Sequence, residues 1–137
     1  ALLGLRSPTR ALLALLPAAL ASGATFGLLG LLGIPLNPMN FVAVPLVLGL
    51  GIDDGLHLVT QAWKRPEQPI AAILAESGWA VTCTTATTLA GFGALLTARH
   101  GGLVSLGGLV CLGVALSWAA TVVVLPPLLR WERGGRP

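Results

Sequence analysis

The feature that most constrains this chain is where its charges are missing. Between Arg10 and Lys64 the only charged residues are the adjacent Asp53 and Asp54, and between Glu76 and Arg130 the only one is Arg99. The intervening sequence forms apolar runs over about 11–33, 41–63, 78–98 and 103–129. A helix needs about 20 apolar residues to cross the hydrocarbon of a bilayer, so each run is long enough to span. The expected fold is therefore all-α, a polytopic transmembrane bundle of about four spans with no sizeable extramembrane domain. Charged residues make up 9% of the chain, against about a quarter in a soluble domain, which argues against a soluble enzyme. A hydrophobic share of 55% likewise excludes a disordered chain, because disorder follows from too little apolar surface to bury.

The connections carry the topology. Ile34-Pro35-Leu36-Asn37-Pro38-Met39-Asn40 is uncharged and rich in turn and cap formers, so it reads as a tight interfacial loop. Lys64 to Ser77 is the most polar stretch, with Ile70 to Leu74 expected as a short amphipathic surface helix. Pro126-Pro127 and the basic tail are expected to stop the fourth span. Arg6, Arg10, Lys64, Arg65, Arg130, Arg133 and Arg136 fall on one side of this arrangement and only Arg99 on the other. The positive-inside rule then puts both termini in the cytoplasm. Trp63, Trp79 and Trp131 fall near the same boundary, where indoles are well accommodated, whereas Trp118 lies inside a span and faces lipid or a neighbouring helix.

The net charge of +3 does not point to nucleic acid, because the basic residues sit at segment ends and form no dense face. Cys83 and Cys111 lie in apolar stretches and read as small hydrophobes; no metal-ligand motif, phosphate loop or nucleophile elbow is present, and no cofactor is expected. The first residues are too short for a signal peptide, and a start at Ala1 reads as a piece of a longer protein.

The chemistry lies in the second span. Asp53 falls about 18 Å into the membrane if the helix enters near Phe41, slightly past the middle of a core of about 30 Å. Each acid at such a depth costs about 2.5 to 3.5 kcal/mol on insertion scales, so an adjacent pair needs a compensating function. A low dielectric resists simultaneous ionisation of neighbouring carboxylates, which is the property a proton-coupled machine requires. Asp53, Asp54 and His57 are therefore the candidate proton relay. Neighbouring helical positions diverge by about 100°, while Asp53 and His57 share a face, which favours Asp53 as the more sensitive acid. Gly49, Gly51 and Gly55 surround the pair as helix-packing candidates, with Gly51 and Gly55 at small-xxx-small spacing. In the third span Thr84, Thr85 and Thr88 are candidates either for packing or for facing the acids.

Gly-Leu-Gly-Ile-Asp-Asp-Gly-Leu-His-Leu-Val, residues 49–59, resembles the fourth transmembrane helix of the resistance-nodulation-division (RND) superfamily, in particular its MMPL and hopanoid-exporter-like branch. The resemblance extends through Gly33 to Asn37, Thr84 to Phe92 and Leu125 to Leu129. It implies helices three to six of a six-helix half, a missing second half, and missing extracytoplasmic domains. It also implies that Asp53 and Asp54 bind protons in exchange for substrate movement. Many MMPL-type members have Asp-Tyr where this chain has Asp-Asp. No Lys or Arg lies within the spans, so any basic partner of the acids would come from the missing half.

The expected function is a part of a proton-coupled transporter exporting hydrophobic or amphiphilic, lipid-like substrates from the bacterial inner membrane, and not an enzyme. Expected partners are membrane lipid, protons and the missing parts of the protein, with a homo-oligomer as a further option. The alternatives are a sterol-sensing-domain-like regulatory module and a protein-export accessory of the same superfamily.

Overall fold

The computed structural model describes residues 8–31, 33 and 37–134. Arg6, Arg136, the first residues from Ala1 and the loop positions Ile34, Pro35 and Leu36 lie outside the described residues. Among the described residues there is no strand. The elements are α1 (Pro8–Leu31), α2 (Pro38–Lys64), a short α3 (Ile70–Ile73), a π-helical turn (Leu74–Gly78), α4 (Trp79–Gly93), a 3₁₀ turn (Ala94–Thr97) and α5 (Gly101–Gly134). Four stretches, Ala11–Leu31, Asn40–Lys64, Ile70–Thr97 and Gly101–Glu132, are long and apolar enough to cross a membrane.

Local chemistry explains the helix ends. Gly33 adopts φ +63 and donates its N–H to Gly30, the left-handed termination that a residue with no Cβ reaches at least cost. Asn37 caps α2: its backbone is extended and its Oδ1 accepts the N–H of Asn40 at 3.0 Å, with Pro38 at the first helical position, where a missing donor is harmless. Arg65 and Glu76 form an exposed ion pair across the α2–α4 connection, a geometry worth little in water.

Two sequence expectations meet a different outcome. Ile70 to Leu74 does not form a separate surface helix: Ile70 and Ile73 are buried, and the segment continues through the π-turn into α4 as one span. Nor do Pro126 and Pro127 stop the last helix, which continues to Gly134. Each proline removes one main-chain bond, to the carbonyls four residues earlier, but Leu125 and Leu129 on either side are fully packed, and that packing holds the backbone helical. At 34 residues α5 extends about 51 Å, longer than the hydrocarbon it crosses.

Packing sorts the bundle into layers. Helices α1, α2 and α5 pack on one another, while α4 rests mainly on α5. At the Lys64 end, Ala14, Leu58, Val59, Ala62, Ile70, Ile73, Leu125 and Leu129 form one apolar core. At the Asn37 end, Leu29, Ala43, Leu109, Val110 and Val114 form another. The level between them is built from small and polar residues: Gly51, Gly55, Ala18, Ser117, Thr121 and the acidic pair. Glycine sets the spacing there. A Cβ on Gly55 would run into the carbonyl oxygen of Ala14, and one on Gly51 would press on Ser117 Oγ and lie 3.1 Å from Ala18 Cβ.

Candidate functional site: an acidic cavity between α2 and α4

Because α4 leans on α5 and stands off α2, a small cavity of about 50 Å³ remains between them. Leu50, Asp53 and Asp54 of α2 line it on one side, Thr84, Thr85 and Thr88 of α4 on the other, and Val114 of α5 closes it. Both acids and all three candidate threonines thus come together, although they lie about thirty residues apart in sequence. The volume is of the order that holds one water or a single small ion.

The acids are not equivalent. Asp54 is half-buried, with the hydroxyl of Thr85 beside its carboxylate, whereas Asp53 is exposed at the edge of the bundle. His57 shares the exposed face of Asp53 and does not line the cavity. The exposed positions Phe41, Pro45, Gly49, Asp53 and His57 recur every four residues and form one outward stripe on α2. Gly49 belongs to that stripe, and a Cβ on it would meet nothing within 4 Å among the described residues, in contrast to Gly51 and Gly55 on the packed face.

The threonines divide as sharply. Thr84 donates its hydroxyl to Val81 O at 2.9 Å and Thr88 donates to Thr84 O at 2.9 Å, so their hydrogens are committed to the helix and only lone pairs remain for the cavity. Thr85 is 6% exposed, and its Oγ1 completes no hydrogen bond among the described residues. The cavity therefore presents two carboxylates, lone pairs and one uncommitted hydroxyl, a lining rich in acceptors and suited to a proton, a hydronium or a water that carries it.

Of the two settings expected for Trp118, lipid or a neighbouring helix, the structure shows the second, with a hydrogen bond to Thr82 of α4, a partner the sequence did not name. Two further features escaped the sequence: Ser105 hydrogen-bonds Asn40 across 65 residues of chain, and Val114 completes the acidic cavity. Only the polar character of Ser105 and Thr82 inside apolar runs, and of Asn40 at the edge of one, could have signalled the two hydrogen bonds, and nothing distinguishes Val114 from its apolar neighbours.

Four helices long and apolar enough to cross a bilayer, with an adjacent acid pair within the second of them, define a polytopic membrane-protein bundle. The chain belongs to the Patched SSD family, whose model matches residues 3–131. It is 37% identical over 130 residues to a membrane protein of Methanocaldococcus jannaschii, covering 90% of this chain and 34% of that protein. It is 31% identical over 117 residues to the hopanoid transporter HpnN of Rhodopseudomonas palustris, and 30% identical over 115 residues to HpnN of Burkholderia multivorans. These matches cover 85% and 84% of this chain and 13% of each transporter, so the chain spans a small part of the curated relatives it resembles. No solved structure matches it significantly.

Proposed function

We propose that the chain is the coupling part of a proton-driven exporter of hydrophobic or amphiphilic, lipid-like molecules, resident in the cytoplasmic membrane with both termini inside the cell. The observation that carries this reading is the placement of the half-buried Asp54 beside the buried Thr85 in a half-open, water-sized cavity near the middle of α2. In it, Asp54 binds the proton within this unit, while Asp53, at the exposed rim of the same cavity, and His57 beyond it lead outward toward the rest of the protein. An exposed acid at this depth is costly in lipid, which supports a second transmembrane half as the cover for the α2 stripe. Similarity to two hopanoid transporters supports a lipid-like substrate.

The test uses the full-length protein in vesicles with an imposed pH gradient, following internal pH with a trapped dye and hopanoid transfer in parallel. Asp54→Asn abolishes both fluxes, Asp53→Asn reduces them, and both variants insert normally. Wild-type fluxes in the double variant would overturn proton coupling. That outcome would favour the second reading, a regulatory sterol-sensing module, which the Patched SSD match supports.

A further inference from the structure

Two hydrogen bonds cross from α5 to α4, two helical turns apart on both helices. Trp118 Nε1 donates to Thr82 Oγ1 at 3.0 Å, and Cys111 Sγ donates to the carbonyl of Leu89 at 3.7 Å. The first is an ordinary polar bond and the second a weak one, because a thiol is a poor donor. Thr82 Oγ1 donates in turn to Gly78 O at 2.8 Å, so the indole of α5 is tied through one hydroxyl to the last residue of the π-turn that opens α4. Thr82, Thr85 and Leu89 follow one another at i, i+3 and i+7, within an arc of about 60° on the helix. Thr85 therefore stands between the two ties on a single face. It borders a groove shared with Trp118 and Leu89 on one side and the acidic cavity on the other.

The rotation of α4 has little else to hold it. Of the four spanning stretches its own is the least buried, with 11% of the apolar window covered against 33–39% in the others, and it stands off α2. Its ends are a π-turn (Leu74–Gly78) and a 3₁₀ turn (Ala94–Thr97). Both depart from the α-helical hydrogen-bond period, one wider and one tighter, so neither end transmits a fixed helical phase. Exchange of the π-turn for an α-turn shifts the phase by one residue, about 100°. Thr84 or Ala86 would then occupy the place of Thr85. The hydroxyl of Thr84 is committed to Val81 O and Ala86 has none, so either phase takes the uncommitted hydroxyl away from Asp54.

We propose that Trp118, through its bond to Thr82 and with Cys111 as a weaker second tie, is a positioning residue for the acidic site: it fixes the rotation of α4 that keeps the hydroxyl of Thr85 beside Asp54. The rotational claim stands on the two bonds and the faces of α4; its consequence for proton flux rests on the proton reading of Asp54.

The experiment follows proton flux into vesicles holding the full-length protein under an imposed pH gradient, with a second readout that needs no transport, the rate at which a hydrophobic carbodiimide modifies Asp54, mapped by mass spectrometry. Trp118→Phe keeps the aromatic bulk and removes the donor, and Thr82→Val keeps the branched shape and removes the acceptor. Each lowers the flux about threefold, less than the loss in Thr85→Val itself, and the two together lower it no further than either alone. Thr82→Ser, which keeps the hydroxyl, restores wild-type flux. The deciding arm is the Thr85→Val background: there neither Trp118→Phe nor Thr82→Val changes the flux or the modification rate further, because the hydroxyl they position is already gone. Losses that multiply in that background reveal a packing role and overturn the proposal, as do single variants whose flux and Asp54 modification both match the wild type. Should Trp118→Phe fail to insert, Thr82→Val carries the same test from the other end of the bond. A wild type with no proton flux, in which Trp118→Phe and Thr85→Val change Asp54 modification in the same direction and non-additively, leaves the positioning role standing and overturns the proton reading.

Discussion

Ser105 Oγ donates to Asn40 Oδ1 at 2.8 Å, tying the first turns of α5 to the first turn of α2 across 65 residues of chain. Asn40 is 1% exposed, and its own N–H is held by the Asn37 cap, so one short polar chain fixes the start of both helices relative to each other. Such a bond is worth about 1 kcal/mol net, and leaving a buried partner unmatched costs more than replacing both. A double-mutant cycle of Asn40→Leu and Ser105→Ala, read by thermal or denaturant unfolding in detergent, gives a coupling of about 1 kcal/mol. Additive effects would show that the bond does not hold the helices together.

The mid-level glycines separate by face. Gly55→Ala forces a methyl into the Ala14 carbonyl and lowers stability by about 1–3 kcal/mol, as overpacking does. Gly49→Ala, into open space, changes stability by less than about 0.5 kcal/mol. Retained folded fraction after a heating series compares the two directly, and equal losses would refute the assignment of faces.

Thr85 and Thr87 test the acidic cavity. Thr85→Val keeps shape and removes the one uncommitted hydroxyl beside Asp54, and export by the full-length protein falls about fivefold, because the hydrogen bond that this hydroxyl can offer during the cycle is worth about 1 kcal/mol. Thr87 is exposed, donates to Thr84 O at 2.8 Å and does not line the cavity, so Thr87→Val leaves export near wild type. Equal effects would place the sensitivity in α4 as a whole and not in the cavity.

Orientation is testable without activity. Single-cysteine variants at Gln68 and Arg99 of an otherwise cysteine-free protein, treated in intact cells with a membrane-impermeant maleimide, label only at Arg99. Labelling at Gln68 from outside would invert the topology.

Much of the fold was legible because its cause is local. The bilayer demands that every backbone group be satisfied within its own helix, so run length alone sets the number of spans. The place of Asp53 and Asp54 near the middle of α2 followed from counting along one helix. Where local rules failed, packing prevailed: Leu125 and Leu129 carry α5 through two prolines, and Ile70 and Ile73 bury a segment whose composition looks interfacial. Helical periodicity paired Asp53 with His57 correctly on one face, but it cannot say whether that face turns inward. The fold turns it outward and leaves Asp54 to border Thr85.

The sequence by itself determined the membrane as solvent, the apolar spans, the two titratable acids in the second of them and the small residues at mid-span, because each depends on residue type and on spacing along a single helix. Only the tertiary structure decided that α4 leans on α5 and stands off α2, and with that which acid is enclosed, which threonine keeps a free hydroxyl, and that Trp118 reaches Thr82. Those outcomes depend on the rotation of one helix against another, set by contacts such as Gly113 of α5 on Val47 of α2 and Gly107 of α5 on the Phe92 carbonyl of α4, and no single segment contains both partners.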